Sequence, residues 1–540
     1  MELRPSSSAQ AHPLSKGSFA VDSSVVQPAA PERSDRAGRR EWIGLGVLAL
    51  ACLVYAMDLT VLHLAVPQIS ETLHPSSTQL LWIIDVYGFM LAGLLITMGT
   101  LGDRIGRRRL LLLGGALFGV VSVVAAFSPT AEFLIGCRAL LGIAGATIAP
   151  STLSLIFNMF RDPRQRSLAV GTWVSAFSAG GVVGPLLGGV LLEHFWWGSV
   201  FLLAVPVMVL LLILGPRVLP EFRDPEAGRL DLISAALSVV TMISLVLAMK
   251  QVAQDGVGTL PLIAVAVGLT AGALFVRRQR TRPDPMLDLS LFRLGAFRTS
   301  LGINVIAIFV AFGYFLFVAQ YFQLVLDLTP MQAGAAMAPS SVGFIVGSQA
   351  APHLVRAVRP AYLIGGGMIL AALGLLMLTR LSVDGGPLLA VIASLLIALG
   401  LAPVFGITTE LIVGSAPPEQ AGAASGVSET GAELGGALGI SILGSISLAI
   451  YRADLSDSLP QQLPGADSVR ETLGEAVQVA TTLPHDVGTA VLAAARAAFI
   501  HGVHITAGVA AVGAIAVGVL AVARLRHVPA GELSGSHGHD

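Results

Sequence analysis

Gly99-Thr100-Leu101-Gly102-Asp103-Arg104-Ile105-Gly106-Arg107-Arg108-Arg109 is a short polar stretch wedged between two apolar runs, at about 79–100 and 110–128. Glycine tolerates backbone conformations that other residues avoid, so Gly106 is the place for a tight turn between two helices. Asp103 then stands at the end of the first helix, facing the arginines that open the second. A carboxylate and guanidinium groups so placed can latch packed helices together on one side of a membrane and release them during a cycle. The same spacing can also anchor a basic loop on that side, and the runs on either side of it decide which membrane architecture applies.

Outward from this stretch the pattern repeats. Apolar runs of about 19 to 29 residues occur at about 43–66, 79–100, 110–128, 132–158, 168–192, 198–216, 230–250, 259–277, 299–321, 331–353, 360–380, 387–412, 422–450 and 496–523. At 1.5 Å per residue each can cross a hydrocarbon core of about 30 Å as a helix. The composition agrees: 54% of the 540 residues are hydrophobic and 12% charged, with mean hydropathy +0.79. A soluble chain carries about 25% charge. The 60 glycines fit helices that pack backbone to backbone in lipid. The expected fold class is therefore an all-α polytopic membrane protein of about fourteen helices.

The arginines assign sides. If the N-terminus is inside, every Lys and Arg falls in the loops of that side except Arg138, Lys250, Arg380, Arg452, Arg470 and Arg496. This is the positive-inside pattern, and it places both termini in the cytoplasm. Residues 1–40, rich in Ser, Ala, Pro and charge, read as a disordered cytoplasmic tail without the features of a cleaved signal peptide, and 527–540 as a second tail. The long outer loop, 451–495, has helical spacing at Ser468–Gln478. Net charge is −1, so nothing argues for a nucleic-acid partner. Cys52 and Cys137 lie in apolar runs and support neither a disulfide framework nor a metal cluster, and the terminal Ser-His-Gly-His-Asp is too short for a metal site. With no soluble domain and no nucleophile–base set, an enzyme or receptor is disfavoured.

Chemistry concentrates in a few intramembrane positions. Arg138, in Arg138-Ala-Leu-Leu-Gly142, is costly in lipid and should line a polar cavity or meet a carboxylate. Gly180, Gly184 and Gly188 share a helix face and permit close packing, and Pro185 interrupts the backbone ladder between them. Gly189 completes the string. Asp58, Asp85, Glu429 and Glu433 lie inside runs, the last two four residues apart on one face. Low dielectric favours the neutral form of a carboxyl group, so an acid exposed alternately to the two sides can carry a proton. Its anionic form attracts an organic cation, and competition for one site couples the two. Each acid could instead serve as a structural partner of Arg138 or of a helix hydroxyl. Asp327 and Glu410, near run ends, read as interfacial, solvated acids at least as readily as functional ones. Trp82, Tyr87 and Trp173 are candidate aromatic contacts for flat cations. No cofactor is expected; the proton-motive force supplies the energy.

With these motifs in place, the chain resembles the fourteen-helix drug:proton antiporter family of the major facilitator superfamily, in the branch of QacA, SmvA and LfrA. The gating motif is Gly99, Asp103, Arg104, Gly106 and Arg107; the antiporter motif is Gly180, Gly184, Pro185, Gly188 and Gly189. Leu81-Trp82-Ile83-Ile84-Asp85-Val86-Tyr87 and Ser428-Glu429-Thr430-Gly431-Ala432-Glu433 match as well. The resemblance implies a six-helix bundle at 41–216, two inserted helices at 217–282 and a second six-helix bundle at 283–526. It also implies proton coupling and cation recognition by Asp58, Asp85, Glu429 and Glu433. The implied cargo is lipophilic cations: ethidium, acridine-type dyes, quaternary ammonium antiseptics and fluoroquinolones, exported by a monomer in the cell inner membrane, where it contacts lipid and confers antibiotic resistance. Ser428 stands where QacA-like members carry a further glutamate. The alternative cargo is an endogenous metabolite, a lipid or a self-made antibiotic.

Overall fold

A backbone polar group inside hydrocarbon has no water to bond and must bond along its own segment, and the apolar runs of this chain fold accordingly. The computed structural model describes residues 36–223, 231–255, 258–282, 285–458 and 466–529; most of the expected 1–40 tail and the terminal Ser-His-Gly-His-Asp lie outside them. The long helices follow the runs in order: α1 (Arg39–Leu73), α2 (Ser77–Ile105), α3 (Arg107–Ala126), α4 (Ala131–Met159), α5 (Pro163–His194), α6 (Ser199–Val218), α7 (Leu232–Asp255), α8 (Thr259–Thr281), α9 (Gly295–Gln320), α10 (Pro330–Leu354), α11 (Pro360–Leu378), α12 (Leu388–Gly414), α13 (Ala421–Ser458) and α14 (His485–Leu525). Starts are capped where the sequence allows. Ser76, Thr130 and Thr329 accept hydrogen bonds from the backbone N–H groups of Gln79, Phe133 and Gln332. No strand occurs among the described residues.

Thirteen of these helices are long and apolar enough to cross a membrane among the described residues. The other is α10, whose 25 residues would span about 37 Å but include Gln332, Ser340, Ser341, Ser348 and Gln349. Its small residues explain the shortfall. Methyl groups at Gly343 and Gly347 would lie 2.5 Å from Leu395 and 3.0 Å from Ala402, so this face is given to α12 rather than to lipid.

One apolar core is drawn mainly from α1–α6, around Tyr55, Phe118, Phe160 and Phe201. A second is drawn mainly from α9–α14, around Phe317, Tyr321, Phe322 and Met368. The hairpin α7–α8 leans on the seam between α2 and α13. Val246 packs with Phe89 and Ala92 of α2, and the Ser441 hydroxyl of α13 donates to the Met249 carbonyl at 3.0 Å.

The expected outer loop 451–495 is shorter than its sequence suggests. α13 continues to Ser458 and α14 begins at His485, because amphipathic turns extend both helices beyond their apolar parts. Between them the helical spacing at 468–478 appears as two short helices, Ala466–Glu471 and Leu473–Thr482, separated at Thr472, whose hydroxyl caps the second. Tyr451 anchors this segment through its hydroxyl, which donates to the Val469 carbonyl at 2.8 Å.

The hairpin is tied at its base by Asp231. This carboxylate accepts from Arg278 Nε and Nη2 at 2.7 and 3.0 Å and from the Ser234 hydroxyl at 2.8 Å, and it pairs with Arg282 at 3.3 Å. Hydrogen bonds from Arg278 hold its carboxyl well below the usual carboxylate range, outweighing the cost of its partial burial. A depressed folded-state pKa stabilises above the unfolded value, near 3.9, and the benefit is lost as pH falls through the folded one. Thermal unfolding of detergent-purified protein should therefore show hairpin stabilisation that fades below about pH 4 and is absent at every pH in Asp231→Asn. Identical acid profiles for the two proteins would contradict this.

Candidate functional site

Three glycines set the distance between α5 and α1. A methyl at Gly180 would sit 2.8 Å from Ala56 Cβ, one at Gly184 2.8 Å from Met57 Cγ and Thr60 Oγ1, and one at Gly188 2.5 Å from Val61 Cγ2. The shared face expected from their spacing is thus pressed against the α1 segment that carries Asp58. Gly189 faces open space: a methyl there would meet nothing within 4 Å. α5 runs as one helix through Pro185.

With α1 so held, Asp58 meets Arg138 of α4. Arg138 Nη1 donates to Asp58 Oδ2 at 2.6 Å, with side-chain exposures of only 2% and 8%. Arg138 Nε donates to the Ile83 carbonyl of α2 at 3.1 Å, and its guanidinium lies over the Tyr87 ring, 4.6 Å from the centroid. The buried arginine therefore has a carboxylate, a carbonyl and an aromatic face, the combination that makes a charge tolerable there. Tyr87 is itself buried, and its hydroxyl donates to the Tyr55 carbonyl at 3.4 Å.

Tyr55 joins this cluster to α13. Its hydroxyl is buried and has no hydrogen-bond partner among the described residues, and it lies within electrostatic reach of Glu429 and Glu433. Tyr87 is within reach of Asp58, Arg138 and Glu433. Glu429 is buried and Glu433 half-buried, one turn apart on the same face as their spacing required. Acids from α1 and α13 thus surround a pair of tyrosines. Asp85, half-buried on α2, lies one turn from Trp82. Trp82 stands apart, 40% exposed, with its ring edge-on to Phe89. Trp173 is closed into the core of the first half, where its indole N–H donates to Thr152 Oγ1 at 3.0 Å. Among the described residues no group of three or more His, Cys, Asp or Glu is arranged to hold a metal.

The polar stretch at the junction of α2 and α3 closes the arginine-rich end. Gly106 takes φ +109°, the turn that only glycine makes readily. Arg107, 1% exposed, donates from Nε to Asp103 Oδ1 at 2.7 Å and from Nη2 to the Glu419 carbonyl at 3.4 Å, and stacks on Phe222 at 4.9 Å. The other Asp103 oxygen accepts from the Ala423 N–H at 3.0 Å, in the first turn of α13, where the helix dipole favours an anion. Gly99 lies against the backbone of Gly422, and a methyl at Gly426 would sit 2.8 Å from the Leu95 carbonyl. Arg104 is half-buried beside them.

A matching contact between α5 and the second half lies at the same end and is not visible in sequence. Ser175 and Ser348 hydroxyls are 2.6 Å apart, and Arg166 Nε stands 3.9 Å from Glu410 Oε1. Glu410 is 1% exposed, which corrects the expectation of a solvated interfacial acid; it is covered because α5 and α10 close over the end of α12. Arg166 looked like any other positive-inside arginine, and its partner lies far away along the chain. Asp327, by contrast, is exposed and pairs with Arg496.

A model of the Major Facilitator Superfamily matches residues 48–440. The chain is 46% identical over 479 residues to the multidrug efflux pump LfrA of Mycolicibacterium smegmatis, covering 88% of this chain and 94% of that one. It is 38% identical over 469 residues to the methyl viologen resistance protein SmvA of Salmonella typhimurium, covering 85% and 93%. In fold it is similar to the crystal structure of the human organic anion transporter MFSD10 (TETRAN), with TM-score 0.55 and 17% identity over 90% of this chain and 99% of that one.

The buried pair yields an asymmetric expectation. A carboxyl left alone can take up a proton, whereas a guanidinium stays charged. Asp58→Ala should therefore destabilise the purified protein by about 3–5 kcal/mol, and Arg138→Met by less. Thermal unfolding in detergent measures both; a larger loss for Arg138→Met would contradict it.

Proposed function

This chain belongs to the Major Facilitator Superfamily, and from that premise we propose that it is a proton-coupled exporter of lipophilic cations working by alternating access. The observation that carries this reading is the buried Asp58–Arg138 pair stacked on Tyr87 beside Tyr55, with Glu429 and Glu433 of α13 within electrostatic reach of those tyrosines. Multidrug efflux is the activity named for one relative, LfrA, and the name of another, SmvA, concerns resistance to methyl viologen, a flat organic dication.

The cycle follows from charge competition. An organic cation entering from the cytoplasm is drawn to the carboxylates of α13, with Asp58 behind them, and the tyrosine rings offer faces to a flat cation. Once the cavity faces outward, protonation of these acids cancels the attraction and the cation leaves. Return to the inward state releases the protons into the cytoplasm. Arg138 sharpens the exchange: when Asp58 takes a proton, the guanidinium loses its counter-charge and is left with only the Tyr87 face and the Ile83 carbonyl. Asp85 adds negative charge at the outer third of α2. No cofactor is required. We assign the arginine-rich end to the cytoplasm, the protein to the inner membrane as a monomer, and the cargo to ethidium, acridine-type dyes, quaternary ammonium antiseptics and fluoroquinolones.

Two latches then hold the cytoplasmic end shut: Asp103 on the start of α13, backed by Arg107, and Arg166 with Glu410. Both join the first half to the second. Opening at that end must part both, and neither pair needs to break for the outer side to move.

In proteoliposomes with an imposed pH gradient, Asp58→Asn should reduce ethidium transport to the level of empty vesicles, while the asparagine, still able to accept from Arg138, preserves the fold. Unchanged transport would remove Asp58 from the mechanism. Spin labels at positions 109 and 356 should report a longer distance population in Glu410→Gln, as one latch is lost; an unchanged distribution would show that this pair does not hold the end closed.

A further inference from the structure

The inserted hairpin carries a feature that export does not use. Between α7 and α8 runs an open trough of about 600 Å³, walled by Leu245 of α7 and by Leu269 and Val276 of α8, with Gly272 in its lining and Arg277 and Arg280 at one end. Glycine keeps it shallow-floored and narrow: a methyl at Gly272 would sit 3.3 Å from Thr241 Cγ2. Leu269 and Val276 are exposed along its length.

The charges at the mouth are distributed unevenly. α8 ends in Arg277, Arg278 and Arg280, followed by Arg282. Asp231 takes Arg278 and Arg282. Arg277 and Arg280 lie three residues apart on the trough's own face, are exposed, and make no ion pair among the described residues. Asp231 is thus engaged by Arg278 and Arg282, which are not among the trough's lining, while Arg277 and Arg280 stand where the apolar channel ends.

The dimensions match one leaflet. From Gly268 to Arg280 the helix rises about 18 Å, and half of a hydrocarbon core is about 15 Å. A hydrocarbon chain lying in the trough would end where an anionic headgroup meets two guanidinium groups, which bind phosphate oxygens in a fork geometry. We propose that this trough is a binding site for an anionic phospholipid, one acyl chain lying along Leu245, Leu269 and Val276 and the phosphate held by Arg277 and Arg280. Because α7 also packs on α2 and α13, the bound lipid braces the hairpin at the seam between the two halves. Charge and length select this occupant: a zwitterionic lipid brings a cation to two arginines, and free phosphate leaves the apolar channel unused.

Native mass spectrometry of the full chain in detergent tests it, with phosphatidylglycerol and phosphatidylcholine of equal chain length as probes. Phosphatidylglycerol should be retained at least about ten-fold more strongly, with a loss of roughly five-fold for each arginine neutralised in Arg277→Gln and Arg280→Gln. Arg277→Lys/Arg280→Lys should keep most of the preference, showing that the double variant folds and that charge is what was lost. Gly272→Leu, which fills the trough and leaves both charges, should weaken retention, and Arg356→Gln, a distant exposed arginine at the same end, should leave it unchanged. Equal retention of the two lipids, full retention by the double glutamine variant, displacement by inorganic phosphate alone, or a second copy of the chain bound in place of lipid would each overturn the proposal.

Discussion

A charge inside hydrocarbon must find a counter-charge or give up its proton, and this structure is organised around that constraint. Asp58 and Arg138 meet it by pairing at 2.6 Å in nearly complete burial, with the arginine's remaining capacity met by a carbonyl and an aromatic face. The pair is stable only while both members are ionised. That makes it a fitting device for an exporter, because any event that protonates the carboxyl also frees the guanidinium. The acids of α13 lie across the tyrosine pair, so both halves of the molecule share one electrostatic environment.

Close backbone approach supplies the precision this requires. The Gly180, Gly184 and Gly188 face lets α5 press on α1 at the turns around Asp58, and the contact of Gly99 with Gly422 lets α2 and α13 meet at the arginine-rich end. Larger residues at these positions would move the acids by ångströms, and packed interfaces respond to such changes by rearranging rather than by yielding smoothly. The same helices that form the closed end, α2, α5 and α13, also carry or support the charged cluster. A rearrangement at the closed end therefore reaches the charged cluster through shared helices.

The fold was highly legible in sequence because its signals are local: apolar length and the Gly106 turn each depend on neighbours along the chain. α10 shows the limit, since its polar and small residues weaken the hydropathy signal while its partners α5 and α12 make up for it. In the site, Asp58 and Arg138 could each be marked as costly in lipid, and their pairing was an open alternative until α1 and α4 were placed together. The Tyr55 hydroxyl and the Arg166–Glu410 contact were illegible, because burial of an ordinary tyrosine and a contact across some 240 residues leave no local trace. Trp173 misled for a related reason: an aromatic near a glycine-rich helix face looks the same whether it lines a cavity or, as here, fills a core.

In the proposed cycle, cation movement and proton movement are one event. Proteoliposomes loaded with a pH-sensitive fluorophore, and given ethidium in the absence of any other driving force, test it directly. Proton flux opposite to cation flux, appearing with the cation and vanishing when Asp58, Glu429 and Glu433 are neutralised together, is the expected result. Cation movement with no accompanying proton flux would contradict it.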